Sequence, residues 1–353
     1  MNEKVISEPV SGVIRKAGAT PRDIARVTGF SLPTVGHILG NRGHRYRRET
    51  QEKVWQVAFE LGYRPNPAAA SMLTRRFNAV GLLLSVEPHR SNFPVELFEG
   101  IHDELARNDF HLTVAKFSDP NLVDESFVRK MASRWMVDGF LINYFTNFPQ
   151  RMAELLERFK IPVIWMNSRH SYDCVYPDDV LAGRIATEKL IALGHRRITY
   201  YDPTGTVHYS SSDRQAGYRQ AMLDAGLEPH LVCTPYHSAR DQIGDIEGIL
   251  SSNPRSTAII LYTHRSVDPV CTVARIRGLR IPQDLSMLLF SHAPADSTFG
   301  FVSRVIVPFE QMGQSATRQL LERITGKSAD PFPPVLIPFD FDLGETMAPP
   351  PSA

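Results

Sequence analysis

Cysteine is scarce. The chain holds three, Cys174, Cys233 and Cys271, an odd number at wide spacing. That argues against a disulfide framework and against a thiolate zinc site, and it suits a reducing compartment. Long apolar runs are missing as well; none approaches the roughly 20 residues needed to span a bilayer. The first residues include acids and no apolar stretch before a cleavage site, so they do not read as a secretory signal. A cytoplasmic protein with no membrane partner is expected. The 12 histidines are scattered singly, with no His-x-x-x-His pair, so no metal ligand set is expected. Nor is there a serine-centred nucleophile elbow or a phosphate-cradling glycine loop. No catalytic residue, metal or cofactor is expected, and enzyme function is not.

An excess of either charge is also lacking: 39 Lys+Arg stand against 38 Asp+Glu, a net +1. The distribution is uneven, however. Residues 1–76 carry 13 basic and 6 acidic side chains, which leaves +7 there and −6 over the remainder. A basic N-terminal piece on a mildly acidic body suits a small module facing phosphates. A solvated basic surface would give the same balance. The 353 residues exceed one ordinary core and suit two or three domains.

Residues 1–19 show no periodicity and read as a mobile leader. At Thr20 a helix opens by the usual signals: a capping hydroxyl, Pro21 in the first turn and Asp23 at the capping-box position. Ile24, Ala25 and Val27 give it a small apolar face, and Gly29 stops it. Ser31 caps a second helix with Pro33 inside its first turn, and Val35, Ile38 and Leu39 form a stripe to be buried. Two short helices joined by a glycine turn read as a helix-turn-helix. A basic loop follows, with Arg42, His44, Arg45, Arg47 and Arg48. A third helix is predicted over Glu49–Leu61, its Val54, Val57, Ala58 and Leu61 closing a three-helix core. Periodicity alone fits any small three-helix domain.

From Asn78 onward, short apolar runs alternate with amphipathic stretches. Strands are predicted at Ala79–Ser85, His111–Ala115, Gly139–Asn143, Pro162–Met166, Arg197–Tyr201, Ala258–Tyr262 and Met287–Phe290. Helices are predicted between them, among them Val95–Asn108, Leu181–Leu193 and Asp213–Ala225. This alternation implies open, largely parallel α/β sheets, with length enough for two lobes and a cleft outside the strand ends.

TPRDIARVTGFSLPTVGHILGN and ETQEKVWQVAFELGYRPNPAAASMLTRRF together resemble the headpiece and hinge of the lactose-repressor (LacI/GalR) family. Less densely, VDGFLI, IPVIWMN, LGHRRITYY, SDRQAGYRQAMLDAGL, GLRIPQDLSM and VPFEQMGQSA resemble that family's effector-binding core. The resemblance implies an all-α helix-turn-helix headpiece at 20–64, a hinge helix and linker at 65–77, and a periplasmic-binding-protein-like α/β core at 78–353. That core would have two parallel-sheet lobes, one about 78–173 and 304–337, the other about 174–303 and 338–353. The chain would cross between them near Asp173, Arg304 and Pro338.

By the same resemblance the second helix reads base edges. His37 can donate or accept at a purine edge, and Leu32 and Pro33 offer apolar surface to thymine methyls; Leu32 could equally pack locally. Ser31 and Thr34 would touch phosphates. Thr20, Asn41, Tyr63, Arg64 and Asn66 fall at further DNA-contacting positions. Met72 stands at the position of the minor-groove wedge, usually leucine, and Arg75 and Arg76 would meet phosphates just beyond. Two departures weaken the match: Gly36 where serine is common, and Ala70 where arginine is frequent.

For the effector, Arg214 matches the family's effector-contacting arginine, although a structural ion pair would also use it. The family's usual sugar-binding carboxylates are replaced by Ser291-His292, by Tyr262-Thr263-His264 and by Asn167-Ser168, with Arg169 next. Asn92, Phe93, Tyr144 and Asp178 are further candidates that fit ordinary loop or core chemistry as well. Loss of those acceptors points to an anionic or modified sugar, such as a sugar acid, or to a different small molecule. A cleft that binds nothing stays open. The whole implies a homodimer on a near-palindromic double-stranded operator, repressing by the family's default and controlled by a small-molecule effector. Two alternatives stand beside it: a sensor with reduced DNA specificity, and a sugar-processing enzyme with an appended headpiece.

Overall fold

A computed structural model describes residues 19–40, 43–64, 76–87, 90–91, 93–144, 146, 148–252 and 254–351. The chain divides into two compact units between Phe77 and Asn78. The expected leader, Asn41, Arg42, the hinge segment 65–75 and Asn92 lie outside the described residues, apart from Ala19 of the leader.

In the first unit, α1 (Pro21–Thr28) starts from a reciprocal cap. Thr20 Oγ1 accepts from the Asp23 amide at 3.4 Å, and Asp23 Oδ2 accepts from the Thr20 amide at 3.0 Å. Gly29, at φ +75°, turns the chain into α2 (Leu32–Leu39), whose Ser31 cap accepts from the Thr34 amide at 3.3 Å. After a short 3-10 turn at Gly43–Arg45 comes α3 (Arg48–Glu60). Ile24, Val35, Ile38, Val54 and Ala58 are buried together, ringed by Ala25, Phe30, Leu39, Tyr46, Val57 and Tyr63.

Two residues expected in this core are outside it. Val27 is exposed because Thr28, one helical turn from Ile24, takes the inward position; its hydroxyl donates to the Ile24 carbonyl at 2.8 Å, so it is buried without an unpaired donor. Leu61 is exposed because α3 ends there in a Schellman turn. Gly62 has φ +66°, and the Gly62 and Tyr63 amides bond to the Phe59 and Ala58 carbonyls at 3.0 and 2.8 Å. That reversal brings Tyr63 into the core in place of Leu61.

The second unit is built on two six-stranded sheets. The first comprises β1 (Ala79–Ser85), β2 (His111–Phe117), β3 (Gly139–Asn143), β4 (Val163–Met166), β5 (Cys174–Pro177) and β13 (Val335–Ile337), in the order β13-β5-β4-β3-β1-β2 and parallel throughout. The second comprises β6 (Ile198–Asp202), β7 (His230–Cys233), β8 (Ala258–Leu261), β9 (Ser286–Ser291), β12 (Ser303–Ile306) and β14 (Asp340–Asp342), in the order β14-β12-β9-β8-β6-β7. Only β14 is antiparallel to its neighbour there. Strands β1, β3, β6 and β8 are buried along their whole length, as parallel strands covered by helices on both faces must be. A two-residue hairpin, β10 (Asp296–Ser297) and β11 (Gly300–Phe301), stands apart from both sheets.

The chain passes between the sheets after β5, after β12 and between β13 and β14. The first two crossings fall a few residues later than expected, because Cys174–Pro177 still pairs with β4 and Ser303–Ile306 still pairs with β9. Strands β5, β7, β12, β13 and β14 escaped the sequence reading. Each is three or four residues long, too short to display a period, whereas the equally short β4 and β8 are legible from the apolar runs VIWM and AIIL.

Two helices of the second lobe, α8 (Asp179–Ala192) and α9 (Tyr209–Asp224), pack against each other through glycines. A Cβ on Gly183 would lie 2.1 Å from the Arg214 carbonyl oxygen, and one on Gly217 would lie 2.0 Å from that of Val180. Only residues without a side chain permit this approach, and it sets where Arg214 stands. The helix expected over Asp213–Ala225 begins one turn earlier, at Tyr209. Its serine-rich start gives no apolar period. The extra turn puts Ser210 and Arg214 four residues apart on one helical face.

Candidate functional site

Among the described residues, the α2 face that the headpiece core leaves uncovered carries Leu32, Pro33 and Gly36, with His37 partly covered beside them. The His37 ring is not free to swing: Nδ1 lies 2.9 Å from the Tyr46 hydroxyl. The basic loop thus braces the candidate base reader through one nitrogen and leaves the other available. Ser31 and Thr34, candidate phosphate contacts, share a 2.8 Å hydroxyl–hydroxyl bond. A Cβ on Gly36 would meet nothing within 4 Å, so packing inside the headpiece does not require glycine there. Thr20 serves as a cap and Tyr63 as a core residue; Arg64 and Arg76 are exposed. Asn41, Asn66, Met72 and Arg75 lie outside the described residues.

In the second unit a cavity of 180 Å³ opens at the carboxyl ends of the parallel strands, where α/β sheets bind ligands. Both lobes line it. Asn167 follows β4 and Pro177 closes β5; Thr206 and His208 follow β6, Tyr262 follows β8, and Val307 and Phe309 follow β12. Asp179, Ser210 and Arg214 complete the wall from α8 and α9.

Arg214 is buried. Its Nε donates to Asp179 Oδ1 at 2.7 Å, and its guanidinium lies 4.4, 5.1 and 5.4 Å from the ring centres of Phe290, Tyr262 and Phe339. Burial pulls the guanidinium toward its neutral form, but Asp179 beside it outweighs that and holds it above its ordinary value. Burial pushes the Asp179 carboxyl up, against the pull of Arg214. A charged pair at 2.7 Å is the stable arrangement, since either charge alone would be uncompensated in the interior. Asp179 Oδ2 is buried without a hydrogen-bond partner among the described residues.

The other polar groups of the wall are neutral. Burial, with Arg214 and Arg169 nearby, pulls the His208 imidazole down to about 4. Its Nδ1 lies 2.7 Å from Ser210 Oγ, which in turn lies 2.8 Å from the Tyr262 hydroxyl. The Tyr209 hydroxyl donates to Asn167 Oδ1 at 3.0 Å, joining the second lobe to the first.

Of the effector candidates named from sequence, the structure brings Asn167, Arg214 and Tyr262 together at the cavity. The other described candidates are elsewhere. Tyr144 is buried in the first lobe with its hydroxyl on Asp119 Oδ1 at 2.6 Å, and Phe93 packs in that lobe against Phe98. Asp178 caps α8 by accepting from the Leu181 amide at 3.0 Å. Arg169 pairs with Asp213, and His264 and His292 do not line the cavity. Asp179, His208 and Ser210 were missed. The Asp178-Asp179 pair advertises a helix start, and only the fold reveals that the first aspartate caps while the second reaches Arg214.

A binding core of two parallel-sheet lobes, preceded by a separate helix-turn-helix unit, defines the class of this protein. Residues 187–346 match the model of a periplasmic binding protein-like domain. The ribose operon repressor of Haemophilus influenzae is 28% identical over 313 residues, covering 87% of this chain and 92% of that one. The HTH-type transcriptional repressor PurR of Erwinia tasmaniensis is 27% identical over 318 residues, covering 88% and 91%. Among solved structures, a lac repressor dimer bound to operator and an anti-inducer aligns over 94% of this chain and 100% of that one, with TM-score 0.74 and 19% identity. A complex of the transcriptional regulator CelR with cellobiose aligns over 93% and 99%, with TM-score 0.59 and 22% identity. Over most of its length the chain is thus similar to transcriptional repressors, and its fold is that of the lac repressor.

Proposed function

We propose that this protein is a sequence-specific DNA-binding regulator of transcription, a repressor by the family's default, whose operator affinity is set by a small molecule held between the two lobes. The observation that carries the reading is the division of labour on α2. Val35 and Ile38 are buried in the headpiece core, while Leu32 and Pro33 face out and His37 is braced by Tyr46. A helix so anchored can enter a major groove without losing its fold. In this reading His37 contacts a purine edge, Leu32 and Pro33 contact thymine methyls, and Ser31, Thr34, Arg64 and Arg76 meet the backbone. Met72 is the minor-groove wedge, in a homodimer on a near-palindromic site in the cytoplasm.

The cleft favours an uncharged polyhydroxylated ligand over the sugar acid that the sequence left open. Arg214 is already neutralised by Asp179, His208 is neutral, and Asp179 Oδ2 needs a donor, which a hydroxyl supplies and a carboxylate does not. A hydroxyl that donates to Asp179 and accepts from Arg214 satisfies both. At 180 Å³ the cavity is below the roughly 300–1,000 Å³ of sites for larger ligands, which suits a single sugar ring. Differential binding to two lobe arrangements would carry the signal to the DNA.

Sequencing of genomic fragments retained by the purified full-length protein tests the reading. An enriched near-palindrome is expected, with release or tightening on addition of one member of a panel of monosaccharides, sugar acids and sugar phosphates. Retention without any enriched motif would overturn the regulator reading in favour of a sensor with little DNA specificity.

A further inference from the structure

The segment that leaves β4 carries the first lobe's side of a cross-lobe contact that extends beyond the cavity: Asn167 and His208 line the cavity, while Arg169 and Asp213 do not. Asn167, at φ +54°, occupies a left-handed turn that asparagine tolerates better than most residues. Three ties cross from this turn to the start of α9. His208 Nε2 lies 3.5 Å from the Asn167 carbonyl, and the Tyr209 hydroxyl donates to Asn167 Oδ1. The third is an ion pair between the Arg169 guanidinium and the Asp213 carboxylate.

This third tie has the strength to matter. The Arg169 guanidinium sits 4.6 Å from the centre of the Tyr209 ring and 5.9 Å from that of Tyr176, one ring from each lobe. Asp213 keeps only 13% of its side chain exposed, so its charge is poorly solvated and depends on Arg169. Asp213 also precedes Arg214 on α9. The ion pair and the guanidinium that lines the cavity are therefore carried by adjacent residues of one helix. Arg169 itself does not line that cavity.

We infer that Arg169 is a latch between the lobes, a positioning residue that pairs with Asp213 to hold the cleft closed and so sets the equilibrium on which the effector acts. The inference rests on the proposed reading in one respect, that lobe closure is the signalling coordinate. The latch itself can be measured without DNA or effector. Spin labels at E157C in the first lobe and Q220C in the second, in a C233S background, report the interlobe distance by pulsed EPR. Both labelled positions are exposed, and the remaining cysteines are buried. Labelled chains are diluted with unlabelled ones so that only distances within a chain are read.

The parent should give one dominant short distance. R169Q and D213N should each raise the longer-distance population at least fivefold, R169K should raise it less, and the swapped pair R169D/D213R should restore the short distance. High salt should broaden the parent distribution and leave that of R169Q unchanged. Unchanged distributions in R169Q and D213N would overturn the latch, and so would broadening that the swap does not reverse. If the single variants fail to fold, R169K and the swap decide the matter by the same distances. Failure here leaves the fragment-enrichment result standing, so the latch and the regulator reading fail separately.

Discussion

Arg214 and Asp179, 35 residues apart in the chain, meet in a 2.7 Å hydrogen bond with both side chains almost wholly buried. The glycines at 183 and 217 allow the helices carrying them to come close enough for that bond. The pair gives the cavity a carboxylate that enters from the start of α8 instead of from the strand ends.

Removing one member of the pair should cost more than removing both. R214A strands the Asp179 charge and should destabilise the core by about 3–5 kcal/mol, the usual cost of breaking a buried pair. R214M combined with D179L should lose less than R214A alone. Urea denaturation of the three proteins measures this, and equal losses would show that Asp179 does not depend on Arg214.

Helix approach gives a second test. G217A forces a Cβ to within 2.0 Å of the Val180 carbonyl and should cost about 1–3 kcal/mol as the helices part. It should also weaken binding of whichever sugar the panel identifies, because Arg214 moves with its helix. Gly244 is the control. A Cβ there meets nothing within 4 Å, so G244A should stabilise its helix by up to about 1 kcal/mol. A thermal melt of each variant suffices.

At the DNA-facing unit, H37A should cost about 1–3 kcal/mol on the enriched site and far less on random fragments. Y46F keeps the ring of Tyr46 in the core and removes only the hydroxyl that braces His37. It should lower the ratio of specific to random binding by roughly fivefold, the worth of about 1 kcal/mol. Fluorescence anisotropy with both DNAs reads the ratio. An unchanged ratio in H37A would show that His37 does not read bases.

The His208 imidazole, pulled by burial from 6.5 to about 4, gives a stability change in mildly acidic solution. The unfolded chain takes up a proton below about 6.5, while the folded chain resists until about 4. Stability tied to neutral His208 is therefore complete above pH 6.5 and declines as pH falls toward 4. His170, also pulled to about 4 by burial, adds to the same window. H208N should have a shallower decline in Tm between pH 6.5 and 4, smaller by roughly 2–4 °C. A parallel decline in parent and variant would mean that burial does not hold the His208 imidazole below its ordinary value.

Much of this molecule is legible in its local sequence. Caps, glycine stops and apolar runs are local signals, read within one or two turns of chain, and they place the three headpiece helices and the strands β1, β2, β3, β4, β6, β8 and β9. The headpiece departures show the limit of that reading. Val27 and Leu61 carry the right chemistry, yet a threonine that satisfies its own hydroxyl and a Schellman turn put Thr28 and Tyr63 in their places.

What local sequence determined about this protein is its helices, its alternating strands, its basic headpiece and the candidate reading residues on α2. Which side chains meet in the cleft was decided only by tertiary structure. Asp179, His208 and Ser210 have no spacing signature, because they come from different elements and converge through the parallel order of the strands and the glycine contact between α8 and α9. Arg169 shows the same reason from the other side. Its sequence neighbours suggest a ligand residue, but the fold places an aspartate from the opposite lobe within its reach.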